Sequence, residues 1–336
     1  MARWEGRYAV DKVTAVAARF GITVPFDGIP LPEQRSLFEQ LPDLGYTDVW
    51  SAESNAGDAF TPLALASVWA PSLRLGTSIV PVYTRGPATL AMSAATLATA
   101  APGRFVLGIG SSSNVIVEKW NAVPFEEPYK RVRDTVRFLR TALAGDKVTE
   151  KYETFSVDGF RLGLVPPSPP PILVAALRAG MLRLAGREAD GAIINWLSPD
   201  DVKTVAPYVR EGGSDKEIAA RIFVALTTDT ATARGVAKYA IAAYMNVPVY
   251  RAFHEWLGRD ALQPMWDAWS AGDRKGALEA IPDSVADDLI VHGTPEQCRE
   301  RIAEYVENGV TTPIPALLPV GVAPADAIRM LAPAND

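Results

Sequence analysis

Residues 73–113, LRLGTSIVPVYTRGPATLAMSAATLATAAPGRFVLGIGSSS, contain one full repeat of the pattern that decides the fold. An apolar run (73–83) breaks at Arg85-Gly86, an Ala/Thr-rich stretch follows, and a second apolar run opens at Gly103. Both runs are continuously apolar rather than alternating, as strands covered on both faces are. Parallel strands need a crossover of a dozen or more residues, and the small-residue stretch has the length and composition of a helix seated close on a sheet. The same unit recurs on either side. ARFGITVPF (18–26) and TDVWSAES (47–54) come before it; PILVAAL (171–177), DGAIINW (190–196), ARIFVALTT (220–228) and GVTTPIPALLPVG (309–321) come after.

Helical signals fill the gaps. Leu37, Phe38, Leu41 and Leu44 share a face that stops at Gly45, and Val132, Val136, Leu139 and Leu143 form one stripe. Ser198-Pro199-Asp200-Asp201 and Thr294-Pro295-Glu296-Gln297 read as helix starts, the second with capping-box spacing. Eight strand–helix repeats predict an α/β fold, a (β/α)8 TIM barrel, which typically needs about 250 residues. The surplus falls at about 145–170, polar and then proline-rich, and at 229–292, mostly helical. One domain, 1–336, carrying those two insertions is the expected organisation.

Composition narrows the chemistry. Thirty-three Lys and Arg against 39 Asp and Glu leave a net charge of −6, which gives no overall attraction for nucleic acid or an anionic membrane. A single cysteine, Cys298, excludes an internal disulfide framework, and two histidines, His254 and His292, argue against a histidine metal site. The N-terminal MARWEGRYAVDKV lacks a signal-peptide apolar core, and the uncharged run 86–103 is too weakly apolar to cross about 30 Å of hydrocarbon, so a cytoplasmic protein is expected. No GxSxG elbow, GxxxxGK loop or metal-ligand cluster is present. What remains is a small-molecule substrate, with chemistry done by a bound organic cofactor.

Barrel active sites gather at the C-terminal ends of the strands. Glu53 follows one such end and is placed to act as acid, base, cofactor contact or structural ion pair. Gly108-Ile109-Gly110-Ser111-Ser112-Ser113-Asn114 is glycine- and hydroxyl-rich; it is either a ligand loop or a capped turn, and it fails the dinucleotide fingerprint at the third glycine. Ala176-Leu177-Arg178-Ala179-Gly180-Met181 opens a helix whose free amides suit a phosphate, against an uneventful junction with Arg178 in solvent. Lys130, Arg133, Arg137 and Arg140 read as a solvated face, His254 as a surface or packing residue and Cys298 as a structural thiol. Tyr244, Tyr250, Phe253, Trp256, Trp266 and Trp269 cap a substrate pocket, form an interface or are core.

Four stretches in register resemble the luciferase-like flavin and deazaflavin oxidoreductases, and most of all their coenzyme F420-dependent branch. These are LGTSIVPVYTRGPATLAMSAATL (75–97), GRFVLGIGSSSNVIVEKWNAVPFEEPYKRVRD (103–134), ILVAALRAGMLRLAGREADGAIINW (172–196) and HGTPEQCRERIAEYVENGV (292–310). The resemblance implies the barrel already inferred and hydride transfer between the deazaflavin C5 and a small organic substrate. It further implies a cis peptide at Ser78-Ile79 behind the ring, with Gly108, Gly110, Ser111, Ser112 and Asn114 bordering it. Ala176, Leu177, Arg178, Ala179, Gly180 and Met181 would hold the phosphate, and Glu53 would lie at the cofactor face. The chain departs from the branch's sugar-phosphate dehydrogenases, which carry a histidine near Glu53 and a glutamate near Ser111. Glucose-6-phosphate oxidation is therefore not implied, and Glu53, Tyr83 and Asn195 stand unranked as substrate-side proton donors. Two rivals stay open: an FMN-dependent monooxygenase of the same fold, and a non-catalytic barrel serving as a binding or assembly subunit. A homodimer is compatible with any of these.

Overall fold

The computed structural model describes residues 19–333. The N-terminal stretch read for a signal peptide, and Ala18 of the first run, lie outside them. Twelve strands appear in order: β1 Gly21–Thr23, β2 Asp48–Ser51, β3 Arg74–Thr77, β4 Val80–Pro81, β5 Phe105–Gly110, β6 Val148–Lys151, β7 Ser156–Phe160, β8 Ile172–Ala175, β9 Gly191–Asn195, β10 Glu217–Ala225, β11 Val291–His292 and β12 Thr312–Leu317. Each of the eight apolar runs contributes one strand of a parallel sheet, ordered β1-β2-β3-β5-β8-β9-β10-β12. β12 lies alongside β1 and brings the sheet round on itself. The short β4 and β11 extend it beside β5 and β10.

The helices are α1 Arg35–Gln40, α2 Phe60–Trp69, α3 Pro87–Ala100, α4 Pro128–Leu143, α5 Ala179–Glu188, α6 Pro199–Arg210, α7 Thr230–Met245, α8 Pro248–Trp256, α9 Gln263–Ser270, α10 Arg274–Glu279, α11 Asp283–Leu289, α12 Pro295–Glu307 and α13 Pro324–Met330. Both expected helix starts carry full capping boxes, Ser198 with Asp201 and Thr294 with Gln297. The polar excursion before β8 contains the antiparallel pair β6–β7, and the stretch 229–292 contains α7 to α11. Among the described residues no helix is long and apolar enough to cross a membrane.

The strand interior is built in layers, because residues two apart point the same way. At the N-terminal end the layer is polar: Arg74 donates to Asp48 and, at 2.5 and 2.9 Å, to both oxygens of Glu217, which also accepts from Thr312 at 2.7 Å. Above it lies an apolar layer of Trp50, Val106, Leu173, Ile193, Ala219 and Ile314. Trp50 crosses the axis through space left by two glycines. A Cβ on Gly76 would come within 2.2 Å of its ring, and one on Gly21 within 2.9 Å. The Arg74 guanidinium lies 5.4 Å from the same ring. These two layers close the bottom of the barrel and leave the C-terminal end as its mouth.

Candidate functional site at the barrel mouth

One step above Trp50 the interior stops being apolar. Thr23, Asn195 and Arg221 lie two residues beyond Gly21, Ile193 and Ala219 on their strands and face the same interior. Arg221 and Asn195 are register partners. Thr23 Oγ1, Ser78 Oγ and Arg221 Nε are buried and have no hydrogen-bond partner. A buried polar atom without a partner typically costs about 1–3 kcal/mol, so such atoms at one end of the barrel make it the candidate place for a polar ligand.

Small residues make the floor beside them. The Ser78–Ile79 peptide is cis. Ile79 turns into the interior cluster, and its Cδ1 lies 3.2 Å from where a Gly110 Cβ would stand, with the Ala175 methyl at 2.8 Å. A side chain on Gly110 would therefore fill this floor. Gly108 has another reason to be glycine. Its Cβ position is 1.9 Å from the Thr77 carbonyl oxygen, and Thr77 Oγ1 bonds both its N–H and its carbonyl oxygen. That glycine lets strands approach, and it is buried beneath the floor rather than open to a ligand.

Ser113 Oγ, just before the π-helical turn Val115–Trp120, accepts from the Ile116 amide within it at 3.4 Å. Ser111 reaches only the Ser112 carbonyl oxygen, at 3.4 Å, and Ser112 holds the left-handed conformation at φ 63°. At the end of β8, the Ala176 amide is tied to the Ile193 carbonyl, and exposed Arg178 precedes α5 without capping it. The first-turn amides of Ala179, Gly180 and Met181 have no acceptor inside the helix, and a Cβ on Gly180 would meet open space. Leu177 and Met181 pack partly into the main core.

Glu53 lies to one side, in a cleft of about 480 Å³ lined by Asp58, Thr84, Arg85, Ile116 and Asn121 among others. Arg85 donates to its Oε1 through Nη2 at 2.5 Å and Nε at 3.0 Å, while its own backbone amide donates to the Ile79 carbonyl at 3.0 Å. The ion pair is mostly buried, and the Arg85 guanidinium also covers the Phe60 ring at 4.9 Å. The structural reading of Glu53 thus has a partner that spacing did not reveal. Tyr83 is buried, and its hydroxyl donates to the Glu126 carbonyl; burial pushes its pKa up to about 12. That proton is already engaged. Asn195 donates from Nδ2 to the Tyr250 hydroxyl at 3.3 Å and keeps its place at the mouth.

The insertion aromatics divide. Phe253 and Trp266 are buried core, whereas Tyr244 stacks on Trp196 at 4.8 Å, Trp196 on Phe223 at 4.3 Å, and Tyr250 reaches Asn195, making an aromatic wall at the mouth. Trp256 and Trp269 pack at the margins, beside Tyr208 and Arg274. His254 is not at the surface. It is fully buried, Nδ1 lies 2.9 Å from Arg259 Nη1, and burial with the neighbouring arginine lowers its pKa to about 3. Arg259 in turn donates to Asp201 at 2.8 Å, tying α8 to the capping box of α6. The basic face of α4 is neutralised residue by residue: Lys130 by Glu127, Arg133 by Asp134 and Glu153, Arg137 by Glu188 and Arg140 by Asp190. Cys298 is a buried thiol whose pKa burial pushes up to about 12. Among the described residues no group of three His, Cys, Asp or Glu is placed to hold a metal.

Comparison with known proteins supplies the family. The profile of the luciferase-like monooxygenases matches residues 15–312. A 5,10-methylenetetrahydromethanopterin reductase from Methanolobus tindarius is 30% identical over 329 residues, covering 93% of this chain and 98% of its own. A Mycobacterium tuberculosis protein provisionally named a coenzyme F420-dependent oxidoreductase is 28% identical, covering 94% and 98%. The fold matches that of a coenzyme F420-dependent tetrahydromethanopterin reductase from Methanopyrus kandleri, with a TM-score of 0.78, 21% identity and coverage of 94% and 97%. The chain belongs to the luciferase-like monooxygenase family.

Proposed function

We propose that this enzyme is an oxidoreductase that seats coenzyme F420 in the barrel mouth and moves a hydride between the deazaflavin C5 and a small organic substrate. The observation that carries the reading is the floor: Ile79, Gly110 and Ala175 form a small apolar shelf, with the unpartnered Ser78 Oγ buried beside it. A flat ring with polar edges fits such a shelf, and relatives named for F420 are similar over nearly the whole chain. When bound, the deazaflavin supplies the hydride chemistry.

The chain's own groups hold and orient. Ser111, Ser112 and Asn114 offer neutral hydrogen bonds at the rim. The first-turn amides of α5, with Arg178 beside them, suit the cofactor's phosphate. The Glu53–Arg85 pair buttresses the Ile79 bulge from behind through the Glu53 amide. Of the three proton-donor candidates, Glu53 is held by Arg85, Tyr83 is engaged by Glu126, and Asn195 has an amide that orients without titrating. Trp196 and Tyr244 exclude water from the far side.

A fluorescence titration of purified protein with F420 and with FMN tests the assignment. F420 binding at least about tenfold tighter is expected, a difference of about 1.4 kcal/mol. Equal or tighter FMN binding would transfer the protein to the flavin-using monooxygenases of the family.

A further inference from the structure

Arg221 is a buried-strand cation without a carboxylate partner among the described residues. It lies inside β10, the seventh of the eight consecutive barrel strands, and so faces β3 and the Ser78–Ile79 bulge across the mouth. Among the described residues it forms no ion pair and no side-chain hydrogen bond. Nε is buried and unpartnered, and the guanidinium lies 5.1 Å from the Phe223 ring on the same strand face. Groups of opposite or polar character around it are the hydroxyls of Tyr244 and Tyr250 and, farther off, Asp27 on an exposed loop. Elsewhere in the barrel the contrary rule holds: the other interior arginine, Arg74, is neutralised by two carboxylates. Burial disfavours the Arg221 cation, with no carboxylate in contact to offset it. A guanidinium kept in that condition on a half-buried side chain is organised for an oxyanion that arrives from outside.

We propose that Arg221 anchors the carboxylate of the substrate, and that the substrate is a small carboxylic acid with a flat apolar body. Asn195, its register partner, supplies a second donor, and the Trp196, Phe223 and Tyr244 rings supply the surface for the flat body. The inference rests on the proposed function, since it places the substrate opposite the cofactor's floor. An oxyanion on the cofactor's own tail is the competing source of the same chemistry, and the Trp196, Phe223 and Tyr244 rings beside Arg221 favour a substrate with a flat body.

The test uses the F420-loaded protein and calorimetric titration with acetate, benzoate and cinnamate, each against its neutral amide. At least one flat carboxylate should bind more tightly than its amide by about tenfold or more, with acetate weaker than both aromatic acids. Arg221→Gln should erase the acid–amide difference while leaving the F420 dissociation constant within about twofold, and Arg221→Lys should restore part of it. Three results would overturn the proposal: acids and amides bind alike in the wild type, the preference survives in Arg221→Gln, or Arg221→Gln weakens F420 instead. If Arg221→Gln does not fold, the wild-type comparison and Arg221→Lys still decide. Failure of F420 to bind wild-type protein would remove the proposed function itself, whereas loss of acid preference with F420 binding intact removes only the anchor.

Discussion

Single residues here owe their roles to partners far off in the chain. Glu53 was visible in the sequence as a carboxylate beyond a strand end, but its pairing with Arg85, 32 positions on, is a product of the fold. Glu53→Gln keeps a hydrogen bond to Arg85 and loses the charge. The expected outcome is a melting temperature lower by a few degrees with turnover per folded molecule within about tenfold; a fall of about 10²–10⁴ would restore a proton-transfer role. Arg221 escaped notice for the opposite reason. A lone cation inside ARIFVALTT does not disturb an apolar strand pattern, though a charge in a strand covered on both faces is itself a signal. His254 reads as a surface or packing residue, and nothing in RAFHEWLGRD announces that it is buried beside Arg259, which in turn bonds Asp201 on another helix. With its folded pKa lowered to about 3 from 6.5, it stays neutral in the native state while the unfolded chain takes up a proton below about pH 6.5. Stability present above that pH is therefore lost as pH falls toward about 3, by about 2 kcal/mol at about pH 5. Thermal melts across about pH 7 to 5 should steepen in the wild type relative to His254→Gln; parallel curves would show that the histidine titrates normally.

Elements were more legible than residues. Continuous apolar runs announced each long barrel strand, since a strand buried on both faces has no polar side to conceal it. The β6–β7 pair was less visible: its residues, VTEK and SVDGF, are mostly exposed and carry no apolar run, though Val157 and Phe160 pack partly against the core. The start of α5 was readable as a helix opening, and because Arg178 at the N-cap carries only donors, no side chain there accepts from the first-turn amides. Gly180 faces open space, so Gly180→Val adds bulk where a phosphate would rest without disturbing the packing. F420 affinity is expected to fall about tenfold or more with the circular dichroism spectrum unchanged. An unchanged dissociation constant would move the phosphate away from α5.

At the scale of the molecule, the two ends of the barrel differ in what they can admit. Its lower end is filled by Trp50 over the Arg74, Asp48 and Glu217 cluster, an arrangement possible only because Gly21 and Gly76 yield their side-chain space. A vessel corked at one end imposes an order on its visitors: whatever rests deepest arrives first and departs last. With both reactants using one doorway, the later guest shuts the earlier one in. Release of prebound F420, followed by its fluorescence, should slow severalfold when a bound acid occupies the doorway. A release rate indifferent to the acid would mean that the two ligands come and go by separate routes.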